Sequence, residues 1–127
     1  MKTARVIKPH SSDNIIPLII KLGEVLEGEK RETEWEGWLW CKTSVGIFGW
    51  VPEAYLKALP ENRMYIATRD YNAKELTVSI NQEVTILNEV ASWAQVETVQ
   101  GEVGWVPLEN LDYATDSDSF LDDTNER

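Results

Sequence analysis

Apolar and polar residues alternate in short runs along this chain. Around Asn81-Gln82, residues Val78, Ile80, Val84 and Ile86 read as inward positions on either side of a turn, the period of two expected of half-buried strands. Gly37, Gly46 and Gly101 stand between such runs as tight connections. No segment carries a helical period longer than one turn. The pattern also repeats. Gly46-Ile47-Phe48-Gly49-Trp50-Val51-Pro52-Glu53-Ala54-Tyr55-Leu56 returns fifty-five positions later as Gly101-Glu102-Val103-Gly104-Trp105-Val106-Pro107-Leu108-Glu109-Asn110-Leu111, with six of eleven residues identical. Upstream, Leu18 to Glu24 matches Leu76 to Gln82, fifty-eight positions on, and Trp38 and Trp93 then align at the start of the next strand. Four or five short strands in each copy predict an all-β chain of two small barrels, since closure removes exposed strand edges. The copies place one barrel at 3–57 and a second at 64–112.

Composition narrows the function. The chain has 127 residues, 43% of them hydrophobic and 27% charged, a globular balance, and six tryptophans supply large apolar side chains to barrels that bury little surface otherwise. A net charge of -10 argues against nucleic acid, whose phosphates require lysine and arginine. Half of that excess lies in the last sixteen residues, and 113–127 reads as a disordered acidic tail. One cysteine, Cys41, and one histidine, His10, make no disulfide, metal set or nucleophile–base pair. No cofactor loop is present either, so the reading is non-enzymatic, without metal or cofactor. Cys41 reads as a small buried residue, and Trp35 and Trp40 as a cross-strand pair. The apolar run Ile15 to Ile20 contains Pro17 and is too short to span a membrane. A cytoplasmic location is expected, with no membrane partner.

Four ordered blocks carry a resemblance to a known family. Ala67-Thr68-Arg69-Asp70-Tyr71, then Glu75-Leu76-Thr77-Val78, then Trp93, then Gly104-Trp105-Val106-Pro107-Leu108-Glu109-Asn110-Leu111 resembles the ALYDY segment, ELSF strand, tryptophan-led strand and G-x-F-P-x-x-Y-V ending of SH3 domains. The first copy follows the same order through Leu18 to Glu24, Trp38-Leu39-Trp40 and Gly49 to Leu56. The pair of divergent copies is similar to bacterial tandem variant SH3 proteins. The resemblance implies a groove in which an extended, proline-containing segment lies over aromatic residues and a proline. It places Trp93, Pro107 and Tyr71 on the shelf of the second copy, and Trp38, Pro52 and Tyr55 on that of the first. Both shelves depart from the family. Arg69 and Asn110 replace groove tyrosines in the second copy, and Lys8 and His10 stand near the missing ones in the first. Glu32, Glu34 and Glu36 crowd the loop before Trp38, and Glu34 and Glu36 join the predicted site as a lip for a basic residue.

Three functions follow from these features. The first is an adaptor that binds extended, proline-containing or basic protein segments through tandem grooves. The second is a structural or oligomerisation module whose aromatic surfaces pack between barrels or subunits. The third is a cell-wall-binding SH3-like protein. The oligomeric state stays open at this level.

Overall fold

The computed structural model describes residues 2–12 and 16–113. The chain is all-β. Among the described residues twelve strands run in order: β1 (Lys2–Val6), β2 (Ile19–Ile20), β3 (Val25–Glu29), β4 (Trp38–Lys42), β5 (Phe48–Pro52), β6 (Leu56–Ala58), β7 (Met64–Ala67), β8 (Tyr71–Asn72), β9 (Glu83–Val90), β10 (Trp93–Thr98), β11 (Val103–Pro107) and β12 (Leu111–Tyr113). Single 3-10 turns at Glu53–Tyr55 and Leu108–Asn110 follow Pro52 and Pro107. Tyr113 belongs to β12, and the rest of the stretch expected as an acidic tail lies outside the described residues.

The strands form two five-stranded antiparallel sheets, β5-β4-β3-β7-β6 and β11-β10-β9-β1-β12. Position by position the two sheets have the same order, with one exchange: each takes its fourth strand from the other sequence copy. Strand β1 pairs with β9 and β12, Ala4 facing Val84 and Tyr113 and Val6 facing Leu111. Strand β7 pairs with β3 and β6, Tyr65 facing Leu26 and Ala58, and Ala67 facing Leu56. The arms that follow these strands are exchanged as well. Ile20 pairs with Tyr71 in the β2–β8 ladder, and His10 makes the matching bridge to Val78. The compact units are a central one of 16–75 with 90–92, and an outer one of 2–12, 76–89 and 93–113, and neither coincides with the expected spans 3–57 and 64–112. In connectivity, the central unit is inserted into a loop of the outer one.

The two sheets differ in side-chain volume at matched positions beside the exchanged strands. On β3, a Cβ at Gly28 would lie 2.5 Å from Leu39 Cδ2 and 3.1 Å from Tyr65 Cδ1 and Cε1, so glycine is what leaves room for the Tyr65 ring. By the repeat, Ile86 holds the matching position on β9 and packs against the outer core, while Ala4 holds the position matching Tyr65. Tyr65 lies over Gly28 in one sheet; in the other, Ala4 faces Val84, and Ile86 faces Lys2 and packs against the core that includes Ala4. Interiors at crystal-like density discriminate between such pairings.

The outer core consists of Ala4, Val6, Leu76, Val78, Val84, Ala94, Val96, Val106 and Leu111. The central unit buries Leu18, Ile20, Leu26, Leu39, Cys41 and Val51. Of the inward positions expected around Asn81, Val78 and Val84 are buried and Ile86 is half-buried, but Ile80 is 58% exposed. The turn explains the miss. Asn81 is left-handed at φ 72° and its N–H donates to the Val6 carbonyl, which breaks the alternation at Ile80. Cys41 is buried as expected.

Candidate functional site

Strands β4 and β5 build the aromatic face of the central unit. Their register places Trp38 opposite Pro52, Trp40 opposite Trp50 and Lys42 opposite Phe48, three successive cross-strand pairs on one side of the sheet. The sequence pairing of Trp35 with Trp40 is corrected here: Trp35 lies in the 30–37 loop before β4, and Trp40 takes Trp50 as its partner at 5.1 Å, edge to face. Phe48 stacks on Trp40 at 6.1 Å.

Beyond Pro52, the 3-10 turn carries Tyr55 to within 5.7 Å of Tyr71, edge to face, and the Tyr71 hydroxyl donates to the Trp50 carbonyl at 3.0 Å. Trp38, Pro52, Tyr55 and Tyr71 thereby share the central unit. The resemblance grouped Tyr71 with Trp93 and Pro107, whereas β8 carries Tyr71 into the central unit and Trp93 and Pro107 belong to the outer one. Burial, followed by the charge of Glu75 and then Tyr55 and Cys41, pushes the Tyr71 phenol well above its ordinary range and keeps it neutral.

In the outer unit, Trp93 faces Pro107 across β10 and β11, and His10 closes on Trp93 edge to face at 5.6 Å. Asn110, at a groove-tyrosine position, is buried and works as a lock. Its side-chain amide donates to the Pro9 carbonyl at 3.2 Å, and its own carbonyl accepts the N–H groups of Ile7 and Lys8. Trp105 is buried and its carbonyl accepts from the Leu76 N–H, while its counterpart Trp50 is only half-buried.

Exposure separates the predicted site residues into two groups. Trp38 (7%), Tyr55 (5%), Tyr71 (7%) and Trp93 (8%) are buried, as are Pro52 and Pro107. Glu34 and Glu36 are exposed in the loop leading to Trp38. The more open aromatic surface is one that the shelf assignment did not include: Trp40 and Trp50 are half-buried, and Phe48 is 51% exposed. Its ring faces take cations. Arg31 lies 5.0 Å over Trp40 and Lys42 lies 5.6 Å from the Phe48 centroid, while nearby Arg69 lies 4.4 Å over Tyr55. The alternation of Trp40 with buried Leu39 and Cys41 was the sequence signal for this outward face.

The single cysteine lies on β4, between Trp40 and Lys42. Burial pushes the Cys41 thiol up to about 12, and its Sγ lies 3.6 Å from the Leu39 carbonyl, which is an environment for an inert cysteine. Among the described residues no group of three histidine, cysteine, aspartate or glutamate side chains is placed to hold a metal ion. No helix there is long and apolar enough to cross a membrane.

Among known proteins, no curated protein and no solved structure matches the chain. The family model of the variant SH3 domain matches residues 64–112. That stretch runs from β7 through the beginning of β12, and its strands are shared between the two units. An SH3-like domain suggests a protein-interaction or binding module. Residues 64–112 are a variant SH3 domain, with the ALYDY-like arm seated in the central unit and the tryptophan-led strands in the outer one.

Proposed function

We propose that the protein is a non-enzymatic interaction module, built from two SH3-like barrels, that binds an extended basic segment of a partner protein along the β4–β5 face of the central unit. The observation that carries this reading is the row of cross-strand pairs Trp38–Pro52, Trp40–Trp50 and Lys42–Phe48, which runs from a buried end to an exposed one. An extended ligand suits such a row because it presents side chains at strand-like spacing and loses little entropy on binding. A basic ligand suits it for two reasons. The ring faces in this unit already stack on guanidinium and ammonium groups, and Glu34 and Glu36 stand exposed in the loop that carries Arg31.

A second reading is favoured by the burial of Trp38, Tyr55, Tyr71 and Trp93, namely a structural module whose shelf aromatics serve packing alone. One experiment separates the two. An array of twelve-residue peptides, proline-containing, with and without arginine or lysine pairs, is probed with the wild type, Trp40→Ala, and the double variant Glu34→Gln/Glu36→Gln. The binding reading expects a set of basic peptides that Trp40→Ala loses and the double variant retains more weakly. An array on which the wild type binds nothing, or on which all three proteins bind alike, leaves the structural module standing.

A further inference from the structure

The buried end of the aromatic row has a specific occupant. The Trp38 indole N–H donates to the Ala91 carbonyl at 2.9 Å, from the two-residue turn between β9 and β10, and Val90–Ser92 belongs to the central unit. Both residues of that turn are left-handed, Ala91 at φ 50° and Ser92 at φ 73°. Two consecutive positive φ angles are the conformation that Asn-Gly supplies with least strain, and neither residue here is asparagine or glycine. By the repeat, Gly37 holds the position matching Ser92, is left-handed at φ 94°, and precedes Trp38 as Ser92 precedes Trp93. A Cβ at Gly37 would lie 3.1 Å from Ala91 Cβ, so glycine is also what lets the turn approach Trp38. The contact is thin, since Ala91 is half-buried and Ser92 exposed.

A donor that could serve a ligand carbonyl is thus filled by a backbone carbonyl of the same chain, and the segment presenting it is strained. Strain of this kind persists where it has a use or where its surroundings hold it. We propose that the Val90–Ser92 turn is a built-in cap on the Trp38–Pro52 end of the aromatic row. Releasing it frees the indole N–H and extends the surface available to a partner segment. The inference rests on the binding face proposed above for the use of the freed surface, but the cap itself is tested without a ligand.

The test uses the full chain with nitrogen-15 labelled tryptophan indoles and backbone. Three proteins are compared: the wild type; Ala91→Asn/Ser92→Gly, in which the turn matches its left-handed geometry; and a protein with two glycines inserted between Ala91 and Ser92, in which the turn is loosened. Hydrogen exchange of the Trp38 indole N–H is read beside the backbone amides of Val51 and Val96. The loosened protein is expected to exchange the Trp38 indole at least about tenfold faster with both core amides unchanged, and the matched variant about tenfold slower, the equivalent of one left-handed residue relieved. Unchanged Trp38 exchange in the loosened protein, or a rise only together with Val51 and Val96, overturns the cap. Should the insertion unfold the chain, the matched variant decides: slower Trp38 exchange supports the cap and unchanged exchange overturns it. The same proteins are then applied to the peptide array. Trp38 freed with basic peptides gained supports the cap and the binding face together. Trp38 freed with no peptide bound by any of the three supports the cap and removes the binding face.

Discussion

Replacing Gly28 by alanine tests the close packing at this position directly. The new methyl group would meet Leu39 Cδ2 at 2.5 Å and the Tyr65 ring at 3.1 Å, and Leu39, only 1% exposed, has little space to yield. Overpacking a closed site costs about 1–3 kcal/mol. Alanine restricts the unfolded chain and returns roughly 0.4–1 kcal/mol where the backbone tolerates it. The net expectation is a loss of about 1–2 kcal/mol, or a fall in Tm of roughly 4–16 °C for a unit of this size. Urea unfolding followed by tryptophan fluorescence reads the loss. The same substitution in a Leu39→Ala background, where Cδ2 is absent, should be close to neutral, giving a coupling of about 1 kcal/mol or more between neighbours in contact. A neutral or stabilising Gly28→Ala, or an equal loss in both backgrounds, would refute the claim that Leu39 and the Tyr65 ring close on Gly28.

Three further outcomes follow. The segment 64–113 made alone must pair β7 with β9, which sets Tyr65 in the sheet containing Ile86; nuclear magnetic resonance spectra should show it far less ordered than 76–113 joined through a short linker to 2–12, and equal dispersion in both would count against size-matched pairing. Asn110→Ala removes the donor to the Pro9 carbonyl at a buried position, and denaturant titration should show a loss of about 1–3 kcal/mol, whereas no loss would show that the carbonyl is satisfied otherwise. The Cys41 thiol, raised from 9.0 to about 12 by burial, holds its proton more tightly folded than unfolded. Its contribution to stability is therefore complete below about pH 9 and is lost as pH rises toward 12. The urea midpoint should fall across that window and fall less in Cys41→Ala, with the native thiol unreactive toward thiol reagents at pH 8; rapid native labelling would contradict the burial.

Much of the candidate site was legible in the sequence because it lies within single hairpins. The Trp38–Pro52 and Trp93–Pro107 pairs follow from strands whose spacing sets their own register, and the buried Cys41 follows from the alternation of β4. Tyr71 could not be placed this way. It sits on an arm whose pairing depends on which copy receives β7, and the local pattern of apolar residues is satisfied by either. Trp38 was likewise identified as a site residue, but the carbonyl that fills its N–H is fifty-three positions away in a turn with no glycine to announce it.

By itself the sequence determined an all-β chain and the tryptophan–proline pairs of two hairpins, consequences of period-two alternation and turn residues acting over a few positions. Only the tertiary structure decided which first strand completes which sheet. The close approach of Tyr65 to Gly28 exists only when distant segments pack, and local alternation carries no trace of it.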